Sequence, residues 1–151
     1  GYKIDHVAGR GIVDSRPFQI FEGSNEMLYT QIAEIVVKQM KKEKHSNLGA
    51  FLQTLEQTKL IGDRFAKLLD FSLPEGMVQR QLIVLGKVIA RLITLQYVFE
   101  MSNKGFRSDL YENSFKHMQM DIRKLLSDFS NVNNATPIVE YQEASNWMDF
   151  I

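Results

Sequence analysis

The stretch SDLYENSFKHMQMDIRKLLSDFSNV, residues 108–132, decides the fold class. Tyr111, Phe115, Met118, Ile122, Leu125, Leu126, Phe129 and Val132 recur at steps of three and four, the spacing of one face of an α-helix. Lys, Asp, Ser and Asn fill the positions between them. Ser108 is the expected N-cap, with Glu112 near the first turn, and NVNNATP ends the helix.

The same period runs backwards through the chain. NKG stops a preceding helix that is expected from about Met77 to Ser102, with Gly105 as its left-handed cap. SLPEG is the clearest breaker. Before it, Leu48, Phe51, Leu52, Leu55, Ile61, Phe65, Leu68 and Leu69 form one side of a second helical stretch capped by Asn47 or Ser46, bent near Gln57, Thr58 and Gly62. A first helix from Ser24 to about Lys44 carries Leu28, Ile32, Ile35, Val36 and Met40 on one face. No alternating run is long enough to build a sheet. Four long helices with short breaks predict an all-α antiparallel bundle.

The bundle is preceded by a segment that fits it poorly. Residues 1–23 hold four of the nine glycines, and a helix from about Ile4 to Val13 would have little of its own to pack against. They read as a segment made to lie on another surface, part of a larger helical domain. Past Pro137 the tail IVEYQEASNWMDFI is short, acidic and aromatic.

Composition narrows the chemistry. The 151 residues suffice for a real core, and Lys plus Arg equals Asp plus Glu at 18 each, which argues against nucleic acid as a partner. Cysteine is absent, so no disulfide, thiolate metal site or thiol nucleophile is available. His6, His45 and His117 lack the spacing of two ligands on one helix face, and no metal site is expected. The apolar run LIVLGKVIARLITLQYVF, residues 82–99, is about as long as a membrane span. It contains Lys87 and Arg91, each costing roughly 2.5–3.5 kcal/mol at a bilayer centre. With Arg80 and Thr94 these form one narrow stripe, so a mostly buried helix with one wet edge is expected. Met101, Phe115, Met118 and Met120 are read as core. Without a signal segment at its start, the chain is expected in the cytoplasm.

FEGSNE, residues 21–26, carries the functional question. On local chemistry Gly23 turns the chain, Ser24 caps the helix, and Glu26 favours the positive end of the helix dipole. Glu22 is then a solvated acid. The same physics permits a second role. A helix N-terminus binds anions and polar cofactor groups, and a carboxylate beside apolar Phe21 and Ile20 can act as a base once a substrate shields it from water. Local chemistry leaves both open.

The longer run DSRPFQIFEGSNE, residues 14–26, resembles the C-terminal signature of the acyl-CoA dehydrogenase family: an Arg-Asp-Ala-Arg run, a short apolar stretch, then Tyr-Glu-Gly-Thr-Asn-Glu. Gly1-Tyr2 resembles the end of that family's preceding glycine-rich turn, and Gly9-Arg10 falls where an Arg is common. The resemblance covers residues 1 to about 42. Ser24 stands where Thr is usual, Phe21 where Tyr is frequent, and Pro17 is unusual after the arginine.

The resemblance implies roles residue by residue. Glu22 matches the catalytic base that removes the α-proton of an acyl-CoA thioester while the β-hydrogen leaves as hydride to flavin. Gly23 matches the position beside the bound substrate, and Ser24, Asn25 and Glu26 match the stretch that touches FAD. An electron-transfer flavoprotein would accept the electrons. On this basis residues 1–44 are the end of the family's C-terminal domain, residues 45–136 a helical-bundle extension, and residues 137–151 a tail. The extension is similar in kind to that of very-long-chain members, where it occupies surface that a second dimer covers in tetrameric members and can mediate membrane contact; for this chain the resemblance implies a role in subunit assembly of a homo-oligomer. The isolated chain is expected to be inactive. The competing expectation is a non-enzymatic helical module that binds protein or a membrane surface.

Overall fold

In a computed structural model, which describes residues 25–132, these residues form five helices and no strand, so the fold is all-α. In chain order the helices are α1 Asn25–Lys42, α2 Leu48–Thr54, α3 Lys59–Phe65, α4 Gln79–Asn103 and α5 Ser108–Asn131. Three are long and two are single short pieces, so the expected second long helix is instead a pair.

The reason lies at residues 55–58. Leu55 turns to extended backbone at the end of α2, and the buried Thr58 hydroxyl donates back to the Leu52 carbonyl. Gln96 of α4 then holds the turn from outside. Its amide NH2 donates to the Glu56 carbonyl, and its Oε1 accepts the Leu60 N–H at 3.2 Å. Gly62 is not the bend. It lies within α3, where a Cβ would stand 3.0 Å from Gln53 Cγ on α2.

α4 is the axis of the assembly. Its Val84, Leu85, Val88, Ile89, Leu92 and Leu95 are buried, in one core with Ala33, Val36 and Met40 of α1 and Tyr111, Ile122 and Phe129 of α5. Residues on both sides of position 44 therefore share a single core. α5 runs antiparallel to α4: the rings of Phe99 and Tyr111 meet near the connecting turn, and Arg91 Nε lies 3.3 Å from Asp121 Oδ2 further along. α4 is long and apolar enough to cross a membrane, yet here α1, α3 and α5 pack around it.

α1 is antiparallel to α4 as well. Its last two turns, at Val37 and Lys41, face Pro74, Met77 and Leu82, whereas Tyr29 in its second turn meets Gly86. The buried face of α1 is Ala33, Val36 and Met40, with Ile32 and Val37 partly covered. Ile35, expected on that face, is 64% exposed and Leu28 37%, because the face is centred on Tyr29 and Val36. Met101 and Met120, expected in the core, are also exposed.

Several local signals are met. Asn47 caps α2, accepting from the Ala50 N–H at 2.9 Å and donating to Asp70 Oδ1 at 2.8 Å. The Phe71 and Leu69 carbonyls accept from Leu48 and Gly49, tying the loop after α3 to the start of α2. Gly105 ends α4 with φ 96°. Ser108 is the first residue of α5 rather than its cap; Arg107 holds the cap position and pairs with Asp109.

The molecule thus has two ends. One gathers the turn after α1, the 66–78 loop, the start of α4 and the end of α5. The other gathers the start of α1, the α2–α3 turn and the α4–α5 turn.

Gly86 has the tightest surroundings of the described glycines: a Cβ there would strike the backbone carbonyl of Tyr29. Gly86→Ala gains about 1 kcal/mol of helix propensity but forces α1 away from α4, and overpacking of this kind costs roughly 1–3 kcal/mol or more. Net destabilisation is expected, read as a lower urea midpoint with α-helical circular dichroism retained at zero denaturant. An unchanged midpoint would show that the two helices do not approach this closely.

Candidate functional site

Glu22, Gly23 and Ser24 lie outside the described residues. Asn25 and Glu26 are described, both exposed in the first turn of α1. The Glu26 carbonyl accepts from the Thr30 hydroxyl at 2.8 Å, an ordinary contact within the helix. Glu26 is an acidic residue in the first turn of α1, at the positive end of the helix dipole, where a negative side chain suits the helix.

What positions this helix start is the contact one turn later. Tyr29 lies against Gly86, and the Lys87 ammonium stands 5.9 Å from the centre of the Tyr29 ring, a cation–π contact between α1 and α4. Lys87 belongs to the stripe read from the sequence as a wet edge. Arg80 and Thr94 are indeed exposed, whereas Lys87 and Arg91 are half-buried and each reaches a neighbouring helix. Arg91 donates to Asp121 of α5 and to the Lys87 carbonyl. The edge therefore ties α1, α4 and α5 together.

Clefts of about 370 and 400 Å³ open at the other end of the molecule. The first lies between α1 and the loop before α4, with Glu34, Lys38 and Lys41 at its rim over Val37, Met77 and Leu82. The second lies between that loop and the end of α5, lined by Phe71, Phe129 and the buried Gln81. Neither is lined by Asn25 or Glu26. Among the described residues no group of three or more His, Asp or Glu side chains is placed to hold a metal ion.

One titratable group was not singled out by sequence reasoning. Tyr111 is 4% exposed, and its phenol oxygen is buried with no hydrogen-bond partner. Burial pushes its pKa up, and the nearby Arg64 pulls the other way. Arg64 stacks its guanidinium 5.4 Å from the Tyr111 ring and 5.1 Å from that of Phe115. The aromatic stripe of α5 foretold the burial of this ring.

An unsatisfied buried hydroxyl costs about 1–3 kcal/mol, whereas the two Arg64 stacking contacts need only the rings. Tyr111→Phe is therefore expected to keep or raise stability at pH 7 in urea titration. The pH dependence has a definite sign. The folded pKa lies above the ordinary value of 10.0, so the folded state holds its proton longer than the unfolded chain. Stability is then full below about pH 10 and falls as pH rises towards the folded pKa. Tyr111→Phe should flatten that alkaline decline; an equal decline in both proteins would mean that the phenol ionises freely.

Comparison with known proteins gives no family assignment: no protein-family model matches the chain, and no curated protein or solved structure matches it significantly.

Proposed function

We propose that this chain is the C-terminal part of an FAD-dependent acyl-CoA dehydrogenase, with Glu22 as the base that removes the α-proton of an acyl-CoA thioester. The observation that carries the reading is the ordered run of residues 14–26, in which an arginine, an apolar stretch and Glu22-Gly23-Ser24-Asn25-Glu26 follow in the family's order. A second observation supports it. The helix that this signature should open is described from Asn25, three positions after the candidate base.

FAD would supply the hydride acceptor. On the described residues the fit to such a group rests on the helix start. Asn25 and Glu26 are exposed there, and first-turn N–H groups have no acceptor within their own helix. Asn25 can offer its amide to a polar group of the cofactor. Glu26 is an acceptor, suited to a hydroxyl rather than to a phosphate. Gly23 lets a substrate's thioester end approach the backbone closely. Glu22 acts only when the bound acyl chain excludes water from its carboxylate. The remaining helices serve assembly with a second subunit, and an electron-transfer flavoprotein would take the electrons onward.

A helical interaction module is the second reading, favoured by exposed Tyr97, Met101 and Phe106 on an otherwise well-covered helix and its turn. One experiment separates the two. In the full gene product containing this chain, Glu22→Gln should retain bound flavin and lose roughly 10²–10⁴-fold in acyl-CoA-dependent dye reduction, the usual contribution of a general base. Undiminished turnover would place the base elsewhere. Absence of flavin from the unsubstituted protein would leave the interaction module.

A further inference from the structure

The cleft between α1 and the loop before α4 joins an apolar floor to a cationic rim. Val37, Met77 and Leu82 form the floor, and each is only half-buried. The volume of about 370 Å³ lies in the range of pockets that hold small ligands, which are mostly apolar with a few placed polar groups. A neighbouring cavity of about 200 Å³ shares Val37, Lys41 and Pro74, so the apolar wall continues to Met40 and Leu73; His45 and Glu75 also line that extension. At the rim of the cleft stand Lys38 and Lys41, with Glu34 as the one carboxylate among the described lining residues. Among the described residues neither lysine has a carboxylate oxygen within 4.0 Å. Glu43, the nearest acid in sequence, accepts from Gln39 at 3.1 Å and lies 3.9 Å from His45. Residues 38–44 therefore hold four lysines and a single glutamate that is already engaged.

We propose that this cleft binds a single-chain amphiphilic carboxylate, its head between Lys38 and Lys41 and its alkyl chain over Val37, Met77 and Leu82. Charge complementarity and the uncovered floor carry the proposal. Two ammonium groups against the Glu34 carboxylate leave one positive charge at the rim, which a monoanion neutralises. Each ammonium is a compact charge with three donors on a flexible stem. The pair can close on a carboxylate while their methylene stems lengthen the apolar wall. A cationic amphiphile would meet two like charges, and a neutral alcohol would leave both without a partner. Covering the floor raises affinity by up to about fourfold for each methylene buried. Because the cleft is bounded, that gain stops once the chain fills it. None of this depends on the role of Glu22.

Methionine methyl NMR reads the site in the full chain, because Met77 lines the cleft and Met40 the extension, whereas Met120 is 69% exposed on α5. Decanoate, titrated below its micelle concentration, should shift the Met77 signal saturably and leave Met120 in place. From butyrate to decanoate the affinity should climb and then level off. Decanol and decyltrimethylammonium should bind about tenfold more weakly or worse, the loss expected when a charged group goes without its hydrogen bonds. This headgroup comparison needs no variant. Lys38→Met combined with Lys41→Met keeps apolar stems at the rim, and should weaken decanoate about tenfold while leaving decanol unchanged. The proposal fails if Met77 shifts no more than Met120, if decanoate and decanol bind alike, or if the double variant binds decanoate as the parent does. It fails as well if Met77 moves on dilution of the protein alone, since a second copy then fills the cleft. Anionic phospholipid vesicles that shift Met77 where decanoate does not would make the cleft a membrane contact and also overturn it.

Discussion

The backbone contact between Gly86 and Tyr29 is the constraint on which the arrangement of the other helices depends. Two helices normally lie 8–10 Å apart, held off by their side chains. Removing the Cβ at one point lets α1 sit closer, so the crossing cannot slide along α4 without meeting a side chain. Once Tyr29 is fixed, Ala33, Val36 and Met40 fall on the apolar side of α4, and Lys87 is left above the Tyr29 ring. The opposite side of α4 is then free for α5, and the third side for the short α2–α3 pair. The edge bearing Arg80 and Thr94 keeps water, as do Tyr97 and Met101 towards the C-terminal end of the helix.

Polar groups inside this core act as fixed points rather than as chemistry. Gln96 is almost fully buried and still has its acceptor and donors used by the α2–α3 turn and by Glu100. Thr58 returns its hydroxyl to α2. Gln81 accepts from the Val78 N–H at the start of α4. Each bond compensates the desolvation of a group that would otherwise cost about 1–3 kcal/mol. Tyr111 is the exception, and its ring earns its place through Phe99, Phe115 and Arg64 instead.

Much of this was legible in the sequence because its signals are local. The α5 stripe, the SLPEG breaker, the Asn47 cap and the Gly105 turn each depend on residues within a few positions, and each is found where the residues stand. The α2–α3 break was not legible, because Gln96, which holds it, lies some forty positions away. Ile35 was misplaced for a related reason. It sits beside the true face, and only the identity of the neighbour, centred on Tyr29, decides which of two adjacent apolar stripes is buried. Gly86 did leave a signal that sequence reasoning passed over. A glycine within an otherwise strong helix lowers its propensity by about 1 kcal/mol, and such a position commonly has a packing reason. The candidate site was readable only through resemblance, because Glu22, Gly23 and Ser24 differ from an ordinary turn and cap in nothing but their order.

A carboxylate becomes a useful base when it is held still and kept from bulk water, and neither condition follows from its place in a motif. Apolar neighbours anchored on a rigid helix meet the first condition. The second condition belongs to the substrate, whose acyl chain must close the remaining side. A chain could meet the first without the second, and would then be a well-anchored helix start with no chemistry. For this reason an anchored helix start does not by itself imply a reaction, and the turnover of the Glu22 variant decides between them.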